Sequence, residues 1–137
     1  LEKIISYSLS SGVDGFILTN TSLDHEYNMP GGISGKPLRQ KSEESLKFVR
    51  SIVDDKAVII SSGGLMTKED AIKRFSLKAD LIQLYSGFVF KGNSLLQDCL
   101  DISSTWQIHL NYRILKKDEK FSHCWIRSES YKNNRIP

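Results

Sequence analysis

The chain has 137 residues, 39% of them hydrophobic and 26% charged, and a formal net charge of +3. That balance is that of an ordinary soluble globular protein, and it excludes collagen-like and low-complexity classes. No run approaches the roughly 18 apolar residues of a membrane span, and Leu1-Glu2-Lys3-Ile4-Ile5 is not a signal peptide. The basic surplus lies late, at Lys116, Lys117, Lys120, Arg127, Lys132 and Arg135. It reads as a solvated tail rather than a nucleic-acid patch. Cys99 and Cys124 have neither CxxC spacing nor a histidine cluster nearby, and read as free thiols in a reducing compartment.

The chain opens without an initiator methionine and directly in helical periodicity, with Leu1, Ile4, Ile5 and Leu9 on one face. It therefore reads as a segment cut from something longer. From residue 13 to about 90, short apolar runs alternate with amphipathic stretches, the rhythm of parallel βα units. Three strands are predicted, over Gly15–Thr19, Ala57–Ser61 and Leu81–Tyr85. A long glycine-containing loop separates the first two. A helix then starts at Ser42, whose hydroxyl can cap the free amides ahead of Glu43 and Glu44, and it packs through Leu46, Val49, Ile52 and Val53. Thr67 caps the next helix, which carries Ala71, Ile72 and Phe75 as its apolar stripe. A further helix is predicted over Ser94–Leu100. Beyond it Trp106, His109, Tyr112 and Trp125 are scattered through a polar background, and Ser128–Pro137 reads as disordered.

In β/α architectures the chemistry gathers at the carboxyl ends of strands. The first strand ends Thr19-Asn20-Thr21, three short polar side chains that suit a flat heterocycle and equally suit an ordinary turn. The second ends Ser61-Ser62-Gly63-Gly64-Leu65, where glycines serve either a tight turn or the close approach of a phosphate to backbone amides. The third ends Gln83-Leu84-Tyr85-Ser86-Gly87, again amides and a hydroxyl. Successive strands ending this way suggest a phosphate site. The loop Gly31-Gly32-Ile33-Ser34-Gly35-Lys36-Pro37-Leu38 permits close backbone approach to a ligand, and Lys36 can meet a phosphate or simply be solvated.

Taken in order, Thr19-Asn20-Thr21, the loop from Gly31 to Leu38, Gly63-Gly64 and Gln83 to Gly87 resemble the late barrel motifs of the dihydroorotate dehydrogenase family. The resemblance covers about residues 1–100, and its TNT and GGxSGKPL forms are closest to the quinone-dependent, membrane-associated class. It departs at Ser61-Ser62, where the family usually carries a glycine and an apolar residue. The fold implied is α/β, the C-terminal part of a TIM (β/α)8 barrel with about three βα units, followed by a divergent tail over residues 101–137.

The resemblance further implies FMN as cofactor, dihydroorotate and orotate as substrate and product, and a quinone as electron acceptor, in pyrimidine biosynthesis. Thr19 would contact the flavin, and Asn20 and Thr21 would hydrogen-bond the pyrimidine. Gly35 and Gly64 would approach FMN with their backbone, while Tyr85 and Ser86 would complete the phosphate cradle. By the same resemblance the catalytic base, a serine, lies upstream of Leu1, as do the helices that reach the quinone. The full-length protein would then sit peripherally on the cytoplasmic face of the inner membrane through that upstream part. An inactive remnant, or another barrel binding FMN or a sugar phosphate, would share some of these features.

Overall fold

A computed structural model describes residues 1–27 and 30–110, the stretch 103–110 by its backbone alone. The expectations for Tyr112, Cys124, Trp125, the basic tail and its disordered end lie outside the described residues. Eight main elements follow one another: α1 (Glu2–Ser10), β1 (Gly15–Leu18), α2 (Arg39–Val53), β2 (Val58–Ser62), α3 (Lys68–Ser76), β3 (Leu81–Gln83), α4 (Ser86–Lys91) and α5 (Asn93–Leu110). The strands form one parallel sheet in the order β1-β2-β3, with Phe16 opposite Ile59 and Ser61 opposite Ile82.

Side chains alternate across a strand, so Phe16, Leu18, Ile59, Ser61 and Ile82 share one face of the sheet. That face is covered by helices. Ile59 packs with Ile5 of α1 and Leu46, Val49 and Val53 of α2. Ile82 packs with Ala71 and Phe75 of α3 and Leu95, Cys99 and Ile102 of α5. Parallel strands joined by right-handed crossovers place their helices on one side in this way. The opposite face carries Ile17, Val58, Ile60 and Leu81, and Ile17 is 57% exposed.

Thr67 caps α3 as expected, within a capping box: its hydroxyl accepts from the Asp70 amide while the Asp70 carboxylate accepts from the Thr67 amide. The start of α2 differs from expectation. A 3-10 turn over Lys36–Leu38, with Pro37 setting its backbone, feeds directly into a helix that begins at Arg39. Ser42 is therefore one turn inside the helix and fully buried, not a cap.

Three smaller differences concern packing and limits. Leu1 and Ile4 are exposed while their neighbour Ile5 is buried. On α3, Ile72 turns outward and Arg74 takes the inward position beside Ala71 and Phe75. The third strand stops at Gln83 because the chain turns at Tyr85 to open α4, and the last helix continues past Leu100 to Leu110.

Candidate functional site

At the carboxyl end of the sheet the chain forms a cleft of about 220 Å³, lined by the tips of all three strands and by the loop leading into α2. All seven residues singled out for binding line it: Thr19, Asn20 and Thr21 after β1, Gly35 in the loop, Gly64 after β2, and Tyr85 and Ser86 after β3. Ser34, Ser62, Gly63, Met66, Gln83 and Gly87 join them. Lys36 does not; its side chain is exposed on the 3-10 turn.

The wall is built mainly of neutral polar groups. The Thr19 hydroxyl is buried without a hydrogen-bond partner. The Asn20 carboxamide oxygen accepts from the Thr21 amide at 2.8 Å, which fixes the turn and leaves the amide nitrogen on an exposed side chain. The Ser34 and Ser86 hydroxyls are 2.9 Å apart, so the glycine loop is tied directly to the tip of β3. The amides of Gly63, Gly64 and Leu65 are without hydrogen-bond partners among the described residues. Three consecutive donors without internal partners at a strand-to-helix turn are backbone groups of the kind that can meet an anion.

Two glycines shape this surface for different reasons. Gly35 has φ of +72°, and a side chain there would meet nothing closer than the Ser86 Cβ at 3.6 Å, so its requirement is conformational. Gly64, at φ of +75°, is also pressed against the first turn of α2: a Cβ would lie 2.3 Å from the Arg39 Cα. Its missing side chain lets the turn pack inward rather than clearing space for a ligand.

Behind the turn lies a buried polar network that only partly showed in the sequence. The Arg39 guanidinium donates to the Asp70 carboxylate at 2.8 Å, and the same oxygen accepts the amides of Met66 and Thr67, each at 2.9 Å. Arg74, fully buried, shares the two protons of Nη2 among the Ser42 hydroxyl at 2.6 Å, the Gly63 carbonyl at 2.9 Å and the Arg39 carbonyl at 3.1 Å. Burial lowers the Arg74 pKa, while Glu43 and Asp70 favour its charged form and Arg39 opposes it. The available signal was its spacing, since Arg74 shares the inward stripe with Ala71 and Phe75.

A wider, more open depression of about 800 Å³ lies between residues 22–27 and α2, and shares only Leu38 with the cleft. Its rim is made of exposed charged side chains, including Asp24, Glu26, Lys41 and Glu44. Paired backbone bonds between Ser22 and Ile33 close the base of this loop, and Lys41 holds it to α2 through the Ser22 hydroxyl at 2.8 Å. No strand end or glycine turn reaches it. Among the described residues there is no cluster of His, Cys, Asp or Glu able to hold a metal ion, and no helix long and apolar enough to cross a membrane.

The dihydroorotate dehydrogenase family model matches residues 2–102. A dihydroorotate dehydrogenase (quinone) from Dichelobacter nodosus is 40% identical over 111 residues, which is 76% of this chain and 33% of the relative. Two crystal structures from Eimeria tenella superimpose on the fold. A ligand-free dihydroorotate dehydrogenase gives a TM-score of 0.69 at 26% identity, covering 80% of this chain and 32% of the other. The ferulenol complex gives 0.66 at 28% identity, covering 74% and 30%. The chain thus spans about a third of the length of the relatives it matches. Its three parallel βα units are part of a (β/α)8 barrel. With residues 2–102 matched by the family model and a relative 40% identical over 76% of the chain, the chain belongs to the dihydroorotate dehydrogenase family.

Proposed function

We propose that this segment supplies the flavin-phosphate corner and the pyrimidine-facing edge of an enzyme that oxidises dihydroorotate to orotate with a quinone as electron acceptor. The observation that carries the reading is the single cleft at the sheet's carboxyl end, in which Thr19, Asn20, Thr21, Gly35, Gly64, Tyr85 and Ser86 meet.

The residues fit FMN on three counts. Among the described residues the amides of Gly63, Gly64 and Leu65 have no acceptor, the buried Thr19 hydroxyl has no partner, and no carboxylate lines the cleft to repel a phosphate. Size limits what the corner can hold. At about 220 Å³ it falls below the roughly 300–1,000 Å³ of pockets that enclose a whole ligand. The phosphate end fits here, and the remaining strands of the barrel would enclose the ring.

In this reading Gly63–Leu65 and Ser86 hold the phosphate, Thr19 contacts the flavin, and Asn20 and Thr21 fix the pyrimidine ring parallel to it. When bound, FMN supplies the two-electron redox chemistry, and the chain supplies binding and orientation. Among the described residues no His, Lys, Asp, Glu or Cys lines the cleft. The family resemblance, not the lining, assigns the proton-abstracting serine to the part of the enzyme upstream of Leu1, together with the quinone site and peripheral attachment to the inner membrane.

Asn20→Ala tests the substrate edge in a barrel completed by the upstream strands of the Dichelobacter nodosus relative. Orotate affinity is expected to fall about tenfold, the weight of one or two lost hydrogen bonds, with FMN retained. Unchanged orotate affinity would favour a barrel that binds FMN or a sugar phosphate without a pyrimidine.

A further inference from the structure

We infer that Arg74 and Ser42 are positioning residues for the phosphate, acting on it through the Gly63–Gly64 peptide without entering the cleft. This rests on the flavin-phosphate reading above. Neither side chain lines the cleft, yet both reach the Gly63 carbonyl, Arg74 Nη2 at 2.9 Å and Ser42 Oγ at 2.8 Å, the single Ser42 proton being shared with the Arg39 carbonyl at 3.0 Å. The Gly63–Gly64 bond is trans, and in a planar trans peptide the N–H points opposite to the C=O. With the carbonyl held toward α2 and α3, the Gly64 N–H is directed away from them, and it has no internal acceptor. Two donors on the carbonyl fix the orientation of this peptide. They also polarise it, which strengthens its N–H as a donor to an anion.

The construction of the network argues against a merely space-filling role. Among the described residues Arg74 forms no ion pair within 4.0 Å of a carboxylate, and its Nε and Nη1 are buried without partners. Burying a guanidinium on these terms costs several kcal/mol, and a methionine would fill much of the same volume without that cost. What a methionine lacks is a donor aimed at the Gly63 carbonyl. Ser42 reaches the same atom from the other helix, so α2 and α3 are both clamped to one peptide.

Riboflavin lacks the phosphate of FMN, so the ratio of the two affinities isolates the phosphate interaction from folding. This chain, completed by the upstream strands of the Dichelobacter nodosus relative, is titrated with each flavin by fluorescence quenching, and the ³¹P resonance of bound FMN is recorded. The unsubstituted chain is expected to prefer FMN. Arg74→Met should lower that preference about tenfold and shift the ³¹P resonance toward its free position, with riboflavin affinity held within about twofold. Ser42→Ala should act in the same sense by about threefold, as expected for one weaker hydrogen bond, and decides the matter should Arg74→Met fail to fold. Arg74→Lys should recover part of the preference. An FMN-to-riboflavin ratio unchanged in the folded variants would overturn the assignment while leaving the phosphate site standing. An unsubstituted chain that binds FMN no better than riboflavin would instead overturn the phosphate site, and this inference with it.

Discussion

A methyl group added at Gly64 would lie 2.3 Å from the Arg39 Cα, on a residue whose φ is already +75°. Gly64→Ala is therefore expected to cost roughly 3 kcal/mol or more, combining left-handed strain with overpacking. Gly35→Ala should cost less, roughly 1–2 kcal/mol, because its nearest contact is an ordinary 3.6 Å and only the backbone is strained. Urea unfolding of the two variants checks the order. Cys99 gives a pH-dependent prediction. Burial pushes its thiol from 9.0 up to about 11, with Asp98 and Asp70 adding in the same direction. A raised folded-state value means that the folded chain holds its proton longer, so this contribution is complete below about pH 9 and is lost as pH rises toward 11. Cys99→Ala should flatten that part of the stability profile, and an identical profile would remove Cys99 as its source. Residue identities at the strand ends were legible because short polar side chains and glycines stand out after apolar runs. Arg74 was missed although its spacing sets it on the stripe of Ala71 and Phe75, because a helix-borne arginine normally lies in solvent.

At the scale of elements, α3 is set by the Asp70 carboxylate more than by the Thr67 cap. Thr67→Ala removes one capping hydroxyl, a loss of about 1 kcal/mol. Asp70→Ala strands two amides and the Arg39 guanidinium around a site that is 5% exposed. Its expected cost is about 2–3 kcal/mol, mainly from the two amides left without an acceptor, because the Arg39 side chain is 35% exposed and can turn to water. Equal losses in chemical denaturation would contradict that division. The Thr67 cap was readable because Thr-x-x-Asp ahead of an apolar stripe is a local pattern. The start of α2 was misplaced because Ser42 followed by two acids has the local form of a cap. Pro37 had already committed the backbone three residues before Arg39 to a 3-10 turn, and the hydroxyl instead serves the Gly63 carbonyl.

Across the whole molecule, the parallel βα rhythm was visible because strands buried on both faces read as continuous apolar runs. What a single sequence does not carry is the partner of the sheet's second face, where Ile17 is 57% exposed and Val58, Ile60 and Leu81 are half-buried. A (β/α)8 barrel fills that face with side chains from its other strands. The 137-residue chain alone is expected to show no dihydroorotate-dependent dye reduction; detectable turnover by the purified chain would show that the cleft contains its own base. The most direct test of the account joins this chain to the upstream strands of the Dichelobacter nodosus relative, loads the product with FMN and adds dihydroorotate without oxygen. Bleaching of the flavin absorbance is the expected result, since the segment would supply the phosphate corner and the pyrimidine edge of a working site. A folded hybrid that stays colourless with FMN, or stays yellow with dihydroorotate, would contradict it.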